Sequence, residues 1–308
     1  QGDWTELYRS RDLKKWERVH RFYEKTWNGE NGWPDKTEDD MCPSFLPLFD
    51  APENGNFTGK HLQLFISHNR GCQYYIGKEE NESFHVEQHG RMAWNDFAFF
   101  APEALIDSKK RHIMWAWLID NLKDDYERFG WSGVFSFPRV VWLDNGVLRM
   151  APAKELDSLE YNKRNLLPLD SDKICANNGE VFRLRSEWKA DRKHRCGFRV
   201  KIDEKLGEGV EIYVDREKGT LVMDCLNAGR ETKKVFEEAP IVLGKDENIC
   251  MDIFVDRAVV EVYVNEKQAI CRRTFATNPK DAVGIRMLDG VDFVEKLEIS
   301  DIAPTNMY

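Results

Sequence analysis

Short runs of β-branched and aromatic residues recur along most of the chain, and they limit the possible folds more than any other feature of the sequence. Three clear examples are HIMWAWL at 112–118, ICMDIFV at 249–255 and VVEVYV at 259–264. Runs of this length with a two-residue alternation are typical of strands. Further runs of the same kind are LQLFIS (62–67), VVWL (140–143), VFRLR (181–185), VEIYV (210–214) and TLVMDCL (220–226). The pattern predicts an all-β protein.

Turn-forming residues separate these runs in the way that antiparallel sheets require. Asn145-Gly146 lies between VVWLD and VLRM, and this dipeptide favours a two-residue hairpin loop. The stretch 249–275 is predicted to form consecutive strands joined at Asp256-Arg257 and at 265–267. Each of these strands alternates apolar and charged residues, which is typical of a sheet with one solvated face.

Helical patterns are weak. Residues 120–129 (DNLKDDYERF) fit one or two helical turns. Residues 153–162 (AKELDSLEYN) fit a short linking helix that would place Leu156 and Leu159 on one face.

The distribution of tryptophan divides the chain into two parts. Nine of the ten tryptophans precede residue 150, and only Trp188 follows it. We therefore predict a first domain at 1–152, a linker at 153–169 and a second domain at 170–308. From about residue 170 onward, short strands recur every 8–12 residues or so, which predicts a β-sandwich.

Charge and composition exclude several classes of protein. The chain has 54 acidic and 45 basic residues and a net charge of −9, so it lacks the basic excess that a nucleic-acid surface needs. No apolar run is long enough to predict a membrane span. The seven cysteines form no C-x-x-C pair, so they predict no zinc or redox site. No organic cofactor is expected either. Buried thiols favour the cytoplasm, although a secreted or periplasmic location stays open.

The aromatic-rich first part, with its interspersed carboxylates and amides, suits a neutral polar ligand. Sugars stack their C–H faces on aromatic rings while their hydroxyl groups form hydrogen bonds with polar side chains. The alternative is that these tryptophans fill a β-rich core. The sequence thus favours a carbohydrate partner without requiring one.

A series of short motifs in a fixed order resembles one enzyme family. The motifs are LYRSRDLKKW (7–16), Cys42-Pro43, FFAP (99–102), RHIMWAW (111–117), Gly130-Trp131, FPR (137–139) and VEVYVN (260–265). Together they resemble glycoside hydrolase family 32, the β-fructosidases of the invertase, levanase and inulinase type. The resemblance covers essentially the whole chain.

The resemblance implies a fold and a mechanism. Its members are expected to have a five-bladed β-propeller with the active site in a central funnel, followed by a C-terminal β-sandwich. They use the retaining mechanism, in which one carboxylate attacks the anomeric carbon and a second, about 5–5.5 Å away, acts as acid and base. A third carboxylate holds the hydroxyl groups of the sugar ring. The expected substrates are β-fructosides such as sucrose and fructans.

Two motifs of the family do not occur in this sequence. The nucleophile motif N-D-P-N-G and the R-D-P motif of the stabilising aspartate are both absent, and Arg11-Asp12 is followed by Leu13. We therefore expect the first part to be a partial five-bladed propeller that contains only the later blades. Because an open propeller would expose strand edges, an N-terminal propeller segment or a second chain is expected to complete it.

The acid/base position also departs from the family. Met41 stands where the resemblance places a glutamate immediately before the cysteine, and a methionine cannot transfer a proton. Residues two apart share one face of an extended strand, so Asp39 is the better substitute. Asp40 is available if a bulge turns it inward. The alternative is that Glu38, Asp39 and Asp40 form a solvated turn.

Five further residues are candidates for substrate binding. His68 follows the run LQLFIS and either donates to a sugar hydroxyl or has a structural role. Trp115 and Trp117 share one strand face and form either a stacking wall or a packing surface between blades. Trp131 lies in a glycine-rich turn from which a side chain can reach a ligand. Glu103 is expected, from the resemblance, to border the fructose pocket.

These observations lead to one main hypothesis and three alternatives. The main hypothesis is a retaining β-fructosidase that hydrolyses sucrose or fructans when its propeller is complete. The first alternative is a non-catalytic sugar-binding or regulatory fragment of the same fold, as Met41 would suggest. The other two are a glycosidase with different specificity, for example for arabinofuranosides, and an inert fragment.

Overall fold

The computed structural model shows a chain built almost entirely of strands, which confirms the all-β prediction. It describes residues 5–23, 34, 37–119, 126–127, 130–168, 176–177, 180–190, 195–289 and 291–305. The chain divides into two compact units. The first comprises Gln1–Trp117 and Pro138–Leu148, and the second comprises Leu118–Phe137 and Arg149–Tyr308.

The first unit contains a hairpin and two larger sheets. Its hairpin consists of β1 (Glu6–Arg9) and β2 (Glu17–Arg21). One sheet is an antiparallel meander of β3 (Met41–Phe49), β4 (Phe57–Ser67), β5 (Gly71–Glu80) and β6 (Ser83–Arg91). The other sheet has the order β11-β10-β8-β7, and its strands are β7 (Phe99–Ile106), β8 (His112–Leu118), β10 (Arg139–Asp144) and β11 (Val147–Pro152). Of these strands, Leu118 and Arg149–Pro152 belong to the second unit.

The hairpin predicted at Asn145-Gly146 is present between β10 and β11. Asn145 has φ +49° and Gly146 has φ +78°, so both loop residues are left-handed. Asparagine and glycine tolerate this conformation better than other residues, and two such residues give the loop a twist that matches the paired strands. The two residues therefore define where β10 ends and β11 begins.

The core of the first unit is an aromatic cluster on the meander sheet. Phe22 and Tyr23 follow β2 and pack against Phe65, Tyr75 and Phe84 on β4, β5 and β6. The backbone N–H of Phe84 donates to the carbonyl of Phe22 at 2.7 Å, which fixes the end of the hairpin to β6. Burial of several aromatic rings supplies most of the energy for this packing.

The second unit consists of the short strand β9 (Val134–Phe135) and two sheets of six strands each. The first sheet has the order β12-β23-β14-β19-β20-β21. Its strands are β12 (Glu160–Asn165), β14 (Val181–Trp188), β19 (Ile249–Asp256), β20 (Val259–Val264), β21 (Gln268–Arg273) and β23 (Val294–Ile302). The second sheet has the order β13-β22-β15-β16-β17-β18. Its strands are β13 (Ala176–Asn177), β15 (Cys196–Asp203), β16 (Glu208–Asp215), β17 (Thr220–Asp224), β18 (Phe236–Pro240) and β22 (Gly284–Met287).

The two six-stranded sheets pack against each other as a sandwich. Trp188 of the first sheet contacts Phe198 of the second, with ring centroids 5.2 Å apart, and both rings are fully buried. A buried ion pair also joins the sheets, between Arg272 on β21 and Glu237 on β18. Apolar and charged contacts therefore both connect the two layers.

The strands predicted for 249–275 are present, but their predicted solvated face is wrong for two of them. β19, β20 and β21 form a continuous antiparallel ladder with turns at the predicted positions. Every side chain of β20 and β21 is buried, including Glu261, Arg272 and Arg273. Glu261 accepts hydrogen bonds from the backbone N–H of Phe137 and from the hydroxyl of Tyr263. Hydrogen bonds of this kind offset the free-energy cost of burying a charged group.

The predicted linking helix at 153–162 is shorter than expected. A 3₁₀ helix spans Lys154–Leu159, with Leu156 buried, and β12 begins directly at Glu160. From Glu160 onward the chain forms a strand instead of a helix, because β12 pairs with β23 and Glu160 binds the guanidinium groups of Arg183 and Arg185. A second 3₁₀ helix spans Val291–Phe293. Of the helix predicted at 120–129, only 126–127 are among the described residues, and both are helical.

Most of the described cysteines are buried, as predicted. Cys72, Cys196, Cys225 and Cys271 are buried, whereas Cys42 and Cys250 are exposed, and Cys175 lies outside the described residues. Within the described ranges, no helix has both the length and the apolar character needed to cross a membrane.

Candidate functional site

A histidine and an aspartate that are far apart in sequence meet beside the meander sheet. Asp39 lies just before β3, and His68 begins the turn between β4 and β5. The imidazole Nδ1 of His68 is 2.5 Å from Oδ2 of Asp39, and the backbone N–H of His68 donates to Oδ1 at 2.9 Å. The side chain of His68 is nevertheless 64% exposed. The aspartate therefore fixes the ring while leaving much of it open to solvent.

The turn that carries His68 has a well-defined geometry. The backbone N–H of Arg70 donates to the carbonyl of Ser67 at 3.1 Å, and Gly71 follows with φ +68°. A type I turn followed by a left-handed residue is a common three-residue hairpin loop. Gly71 is also required for space, because a Cβ atom there would lie 2.7 Å from the carbonyl oxygen of Phe99. Asn69 ties the turn to Thr37 through its side-chain amide.

The contacts with His68 determine the protonation state of Asp39. Partial burial alone would raise the pKa of its carboxyl group. The two hydrogen bonds and the charge of His68 outweigh that effect, so the pKa of Asp39 lies below its ordinary value. At neutral pH the side chain of Asp39 is therefore a carboxylate that accepts hydrogen bonds from His68.

Exposed aromatic rings lie next to His68. The ring of Phe100 on β7 is 6.0 Å from the imidazole of His68, measured between centroids. Phe100 also contacts Trp117 on β8 and Phe97 before β7, at 6.2 and 6.4 Å. Trp117 and Phe97 are both exposed. We refer to Phe97, Phe100 and Trp117 as the aromatic surface.

The strand that contains Met41 is irregular at the predicted acid/base position. Met41 is exposed and pairs with Ile66, but Ser44 pairs with Leu64, so Cys42 and Pro43 form a bulge. Proline favours such a bulge because it has no N–H to donate to the neighbouring strand. Burial, and then the charge of nearby Glu103, raise the pKa of the Cys42 thiol. Glu103 on β7 is exposed, so it lies close to Cys42 with its carboxyl group accessible.

Asp40 does not turn toward solvent. The bulge lies after Met41 rather than at Asp40, and Asp40 is buried with its carboxyl group bound to the hydroxyl of Tyr23. Gln63 donates to the same hydroxyl at 3.1 Å. Asp40 therefore belongs to the packing beneath the site, and a substrate would not reach it in this structure.

Glu38 is also buried, which excludes a fully solvated turn at 38–40. Arg91 on β6 binds its carboxylate with two hydrogen bonds, at 2.8 and 2.9 Å. Gln73 donates to it through Nε2 at 2.7 Å, and the side-chain oxygen of Gln73 accepts from Nε2 of His89 at 2.7 Å. A bidentate pair of this kind is among the strongest polar contacts in proteins. Glu38 and Asp40, on either side of Asp39, hold this segment in place.

The two remaining tryptophan candidates are placed differently. Trp115 lies two residues before Trp117 on β8 and is partly buried. Trp131 belongs to the second unit, where the guanidinium of Arg273 lies 5.5 Å from its ring centroid. There the exposed ring of Trp131 lines a cavity of about 640 Å³ together with Phe135 and Phe275. Trp131 therefore belongs to a cavity of the second unit, whereas His68 belongs to the first unit.

The structure brings Asp39, His68 and Trp117 into one connected set and adds Phe100, which sequence reasoning had not assigned a role. The F-F-A-P motif that contains Phe100 was the available signal. No local sequence pattern indicated Arg91, because its partner Glu38 is 53 residues away in the chain. The set combines an imidazole that can exchange protons with rings on which a sugar can stack. Over the described ranges, no group of three or more His, Cys, Asp or Glu side chains is arranged to hold a metal ion.

Two family models match the chain and cover nearly all of it. Residues 2–152 match the glycosyl hydrolases family 32 N-terminal domain, and residues 151–301 match the family 32 C-terminal domain. The chain therefore belongs to glycoside hydrolase family 32.

Curated relatives and solved structures agree with this family. A fructan 1-exohydrolase from Bromus pictus is 24% identical over 83% of this chain and 52% of its own length. A sucrose-6-phosphate hydrolase from Escherichia coli is 23% identical over 89% of this chain and 56% of its own length. The crystal structure of an exo-inulinase from Aspergillus awamori superposes with a TM-score of 0.76 at 19% identity, covering 98% of this chain and 62% of that one. The chain spans about half the length of the curated relatives it matches.

Proposed function

We propose that the chain forms part of a retaining β-fructosidase, and that the surface around Asp39, His68 and the aromatic surface binds the fructosyl unit of sucrose or a fructan. The observation that carries this proposal is the exposed imidazole of His68, held by Asp39 at 2.5 Å beside Phe100 and Trp117. Family membership supports the reaction class. Glu103 is the accessible carboxylate best placed to accept hydrogen bonds from sugar hydroxyls.

The proposal includes the architecture of the first unit. The β3–β6 meander and the β7, β8, β10, β11 sheet are taken as two propeller blades, and the β1–β2 hairpin as part of a third. The nucleophilic carboxylate would come from an N-terminal propeller segment or a second chain, since these 308 residues contain no N-D-P-N-G motif. Such a segment would also cover the strand edges that an incomplete propeller exposes.

A non-catalytic sugar-binding protein is the second candidate. Met41, which replaces the glutamate expected at this position, favours it because no carboxyl group is available there. In this case the same aromatic surface would hold the sugar without hydrolysis. The two candidates make different predictions for one assay.

The test is an assay for fructose release by the protein isolated from its source, with every polypeptide that remains bound. Sucrose, inulin and levan serve as substrates, an arabinofuranoside serves as the control, and intact mass defines the composition of the sample. We expect fructose release from at least one of the three. Tight binding of fructose oligosaccharides in calorimetry without any release would favour the sugar-binding candidate, and release from the arabinofuranoside alone would contradict the proposed specificity.

Replacing Trp117 with alanine tests the aromatic surface. Loss of one stacking ring is expected to remove about 0.5–1.5 kcal/mol of binding, which corresponds to a roughly two- to tenfold higher KM. The effect on kcat should be smaller, because stacking holds the ground state and the transition state alike. Steady-state kinetics on sucrose measures both values.

Trp16 provides the matched control for this substitution. It is an exposed tryptophan in the loop between β1 and β2, away from the aromatic surface. Trp16→Ala should leave KM unchanged, and Trp117→Phe should retain most of the affinity. Equal kinetics for Trp117→Ala and the wild type would exclude Trp117 from the sugar site.

A further inference from the structure

We infer that His68, oriented by Asp39, is the acid/base group of this site and replaces the side chain that the family places at Met41. This inference rests on the proposed function and adds a residue role to it. It also reassigns Asp39 from proton donor to positioning residue.

The first reason is that the geometry around His68 defines which ring nitrogen can act. Nδ1 faces Oδ2 of Asp39 at 2.5 Å, so Nδ1 carries a proton and donates a hydrogen bond to the carboxylate. Among the residues that the structure describes, Nε2 has no hydrogen-bond partner, and the ring is 64% exposed. Nε2 is therefore the atom available to a ligand.

The second reason is preorganisation. Asp39 binds both the ring and the backbone N–H of His68, and the turn that carries His68 is held by Gly71 and Asn69. A proton donor that is held in place before the substrate binds loses less entropy in the reaction. Glu103 is the other candidate near Met41, but no described residue holds its carboxyl group by a hydrogen bond or ion pair.

The third reason is the state of the nearby carboxyl groups. Both oxygens of Asp39 accept hydrogen bonds from His68, so Asp39 is held as the carboxylate and has no proton to give. Asp40 is buried against Tyr23. A fixed carboxylate beside an imidazole instead orients the ring, as in Asp–His pairs of other hydrolases.

His68 gives up one proton and regains one in each catalytic cycle. Protonated His68 transfers its Nε2 proton to the glycosidic oxygen while the bond from that oxygen to the anomeric carbon breaks. The carboxylate nucleophile, contributed by the completing segment, forms an ester with the anomeric carbon, and the leaving alcohol departs with the proton. Water then attacks the same carbon and gives a proton to Nε2 of neutral His68. The nucleophile leaves as a carboxylate, and His68 is again protonated.

The test compares two substrates that differ in their need for an acid. Sucrose requires protonation of its leaving group, whereas β-fructofuranosyl fluoride does not to any similar extent. His68→Asn should reduce kcat on sucrose by about 10²- to 10⁴-fold and reduce turnover of the fluoride much less. His85→Asn is the matched control, since His85 is an exposed histidine on β6 of the same sheet.

Each other outcome contradicts a defined part of the inference. Unchanged turnover of sucrose by His68→Asn, or equal loss on both substrates, would overturn the role of His68. The sucrose-selective loss in Glu103→Gln, but not in His68→Asn, would assign the acid to Glu103. If the wild-type protein hydrolyses neither substrate, the proposed function itself fails, and the inference fails with it.

Asp39→Asn tests the positioning role and needs a spectroscopic reading. The ¹⁵N chemical shifts of the His68 ring report which nitrogen carries the proton in the neutral form. Asp39→Asn should move the proton from Nδ1 toward Nε2 and lower turnover of sucrose selectively, with folding confirmed by circular dichroism. An unchanged tautomer would contradict the role of Asp39.

Discussion

Replacing Glu237 with alanine should lower the free energy of unfolding of the second unit by about 3–5 kcal/mol. Glu237 on β18 and Arg272 on β21 are 3% and 2% exposed, and their ion pair joins the two sheets of the sandwich. Removing the carboxylate leaves the guanidinium of Arg272 in a buried position without its charge partner from the facing sheet. Such a charge costs more than the pair itself contributes, because it has lost its hydration.

Glu238 is the natural control for this measurement. It is the next residue on β18, but it is exposed and its ion pair with Lys218 spans 3.6 Å at the surface. Glu238→Ala should change stability by less than about 1 kcal/mol. The double substitution Glu237→Leu with Arg272→Met should recover most of the loss, because apolar side chains need no partner. If denaturant titrations gave a similar loss in the free energy of unfolding for Glu237→Ala and Glu238→Ala, the predicted effect of the buried ion pair would be wrong.

Replacing Trp188 with alanine should have a comparable effect for a different reason. The indole ring is completely buried between the two sheets and lies 5.2 Å from the ring of Phe198. Removing it takes away a large apolar surface and leaves a cavity that strands on both sides cannot close. Substitutions of this kind cost about 3–5 kcal/mol.

Calorimetry is the suitable method for Trp188→Ala, because it separates the unfolding of two units. Only the transition of the second unit should shift to lower temperature. Val242→Ala is the control in the same sandwich, since Val242 is largely exposed, and it should change stability by no more than about 0.5 kcal/mol. If the cavity relaxed completely, Trp188→Ala would lower the free energy of unfolding by about as little as Val242→Ala does. That result would contradict the prediction.

Local patterns in the sequence predict the strands and their turns well. The runs at 112–118 and 259–264 coincide with β8 and β20, and the loop at Asn145-Gly146 has the left-handed backbone that its residues favour. These features depend on neighbours in the chain, so the sequence contains the information directly. The length of the linking helix was overestimated, since the observed 3₁₀ helix ends at Leu159. It ends there because a distant strand, β23, pairs with Glu160 and the residues after it.

Alternation along a strand does not reveal what covers each face. β20 and β21 contain the charged residues Glu261, Arg272 and Arg273, yet both faces of these strands are buried. The charged side chains are matched by partners elsewhere in the chain, as Arg272 is by Glu237, 35 residues away. Nothing in a short window of sequence shows such a partner.

The candidate site was predictable in its members but not in their pairing. Strand alternation beside Met41 indicated Asp39, and the position after the run LQLFIS indicated His68, as separate candidates with different roles. Their contact joins residues 29 apart and depends on the register between β3 and β4, including the bulge after Met41. A short window of sequence therefore does not show that these two residues contact each other.

The turn between β4 and β5 places a condition on length as well as on identity. It has only three residues between Ser67 and Gly71, and its hydrogen bond and left-handed glycine suit that number. One inserted residue would change the turn type and move the imidazole away from Asp39, even if every side chain were kept. A functional role of this histidine would therefore restrict the length of this turn, whereas surface loops in general tolerate insertions and deletions.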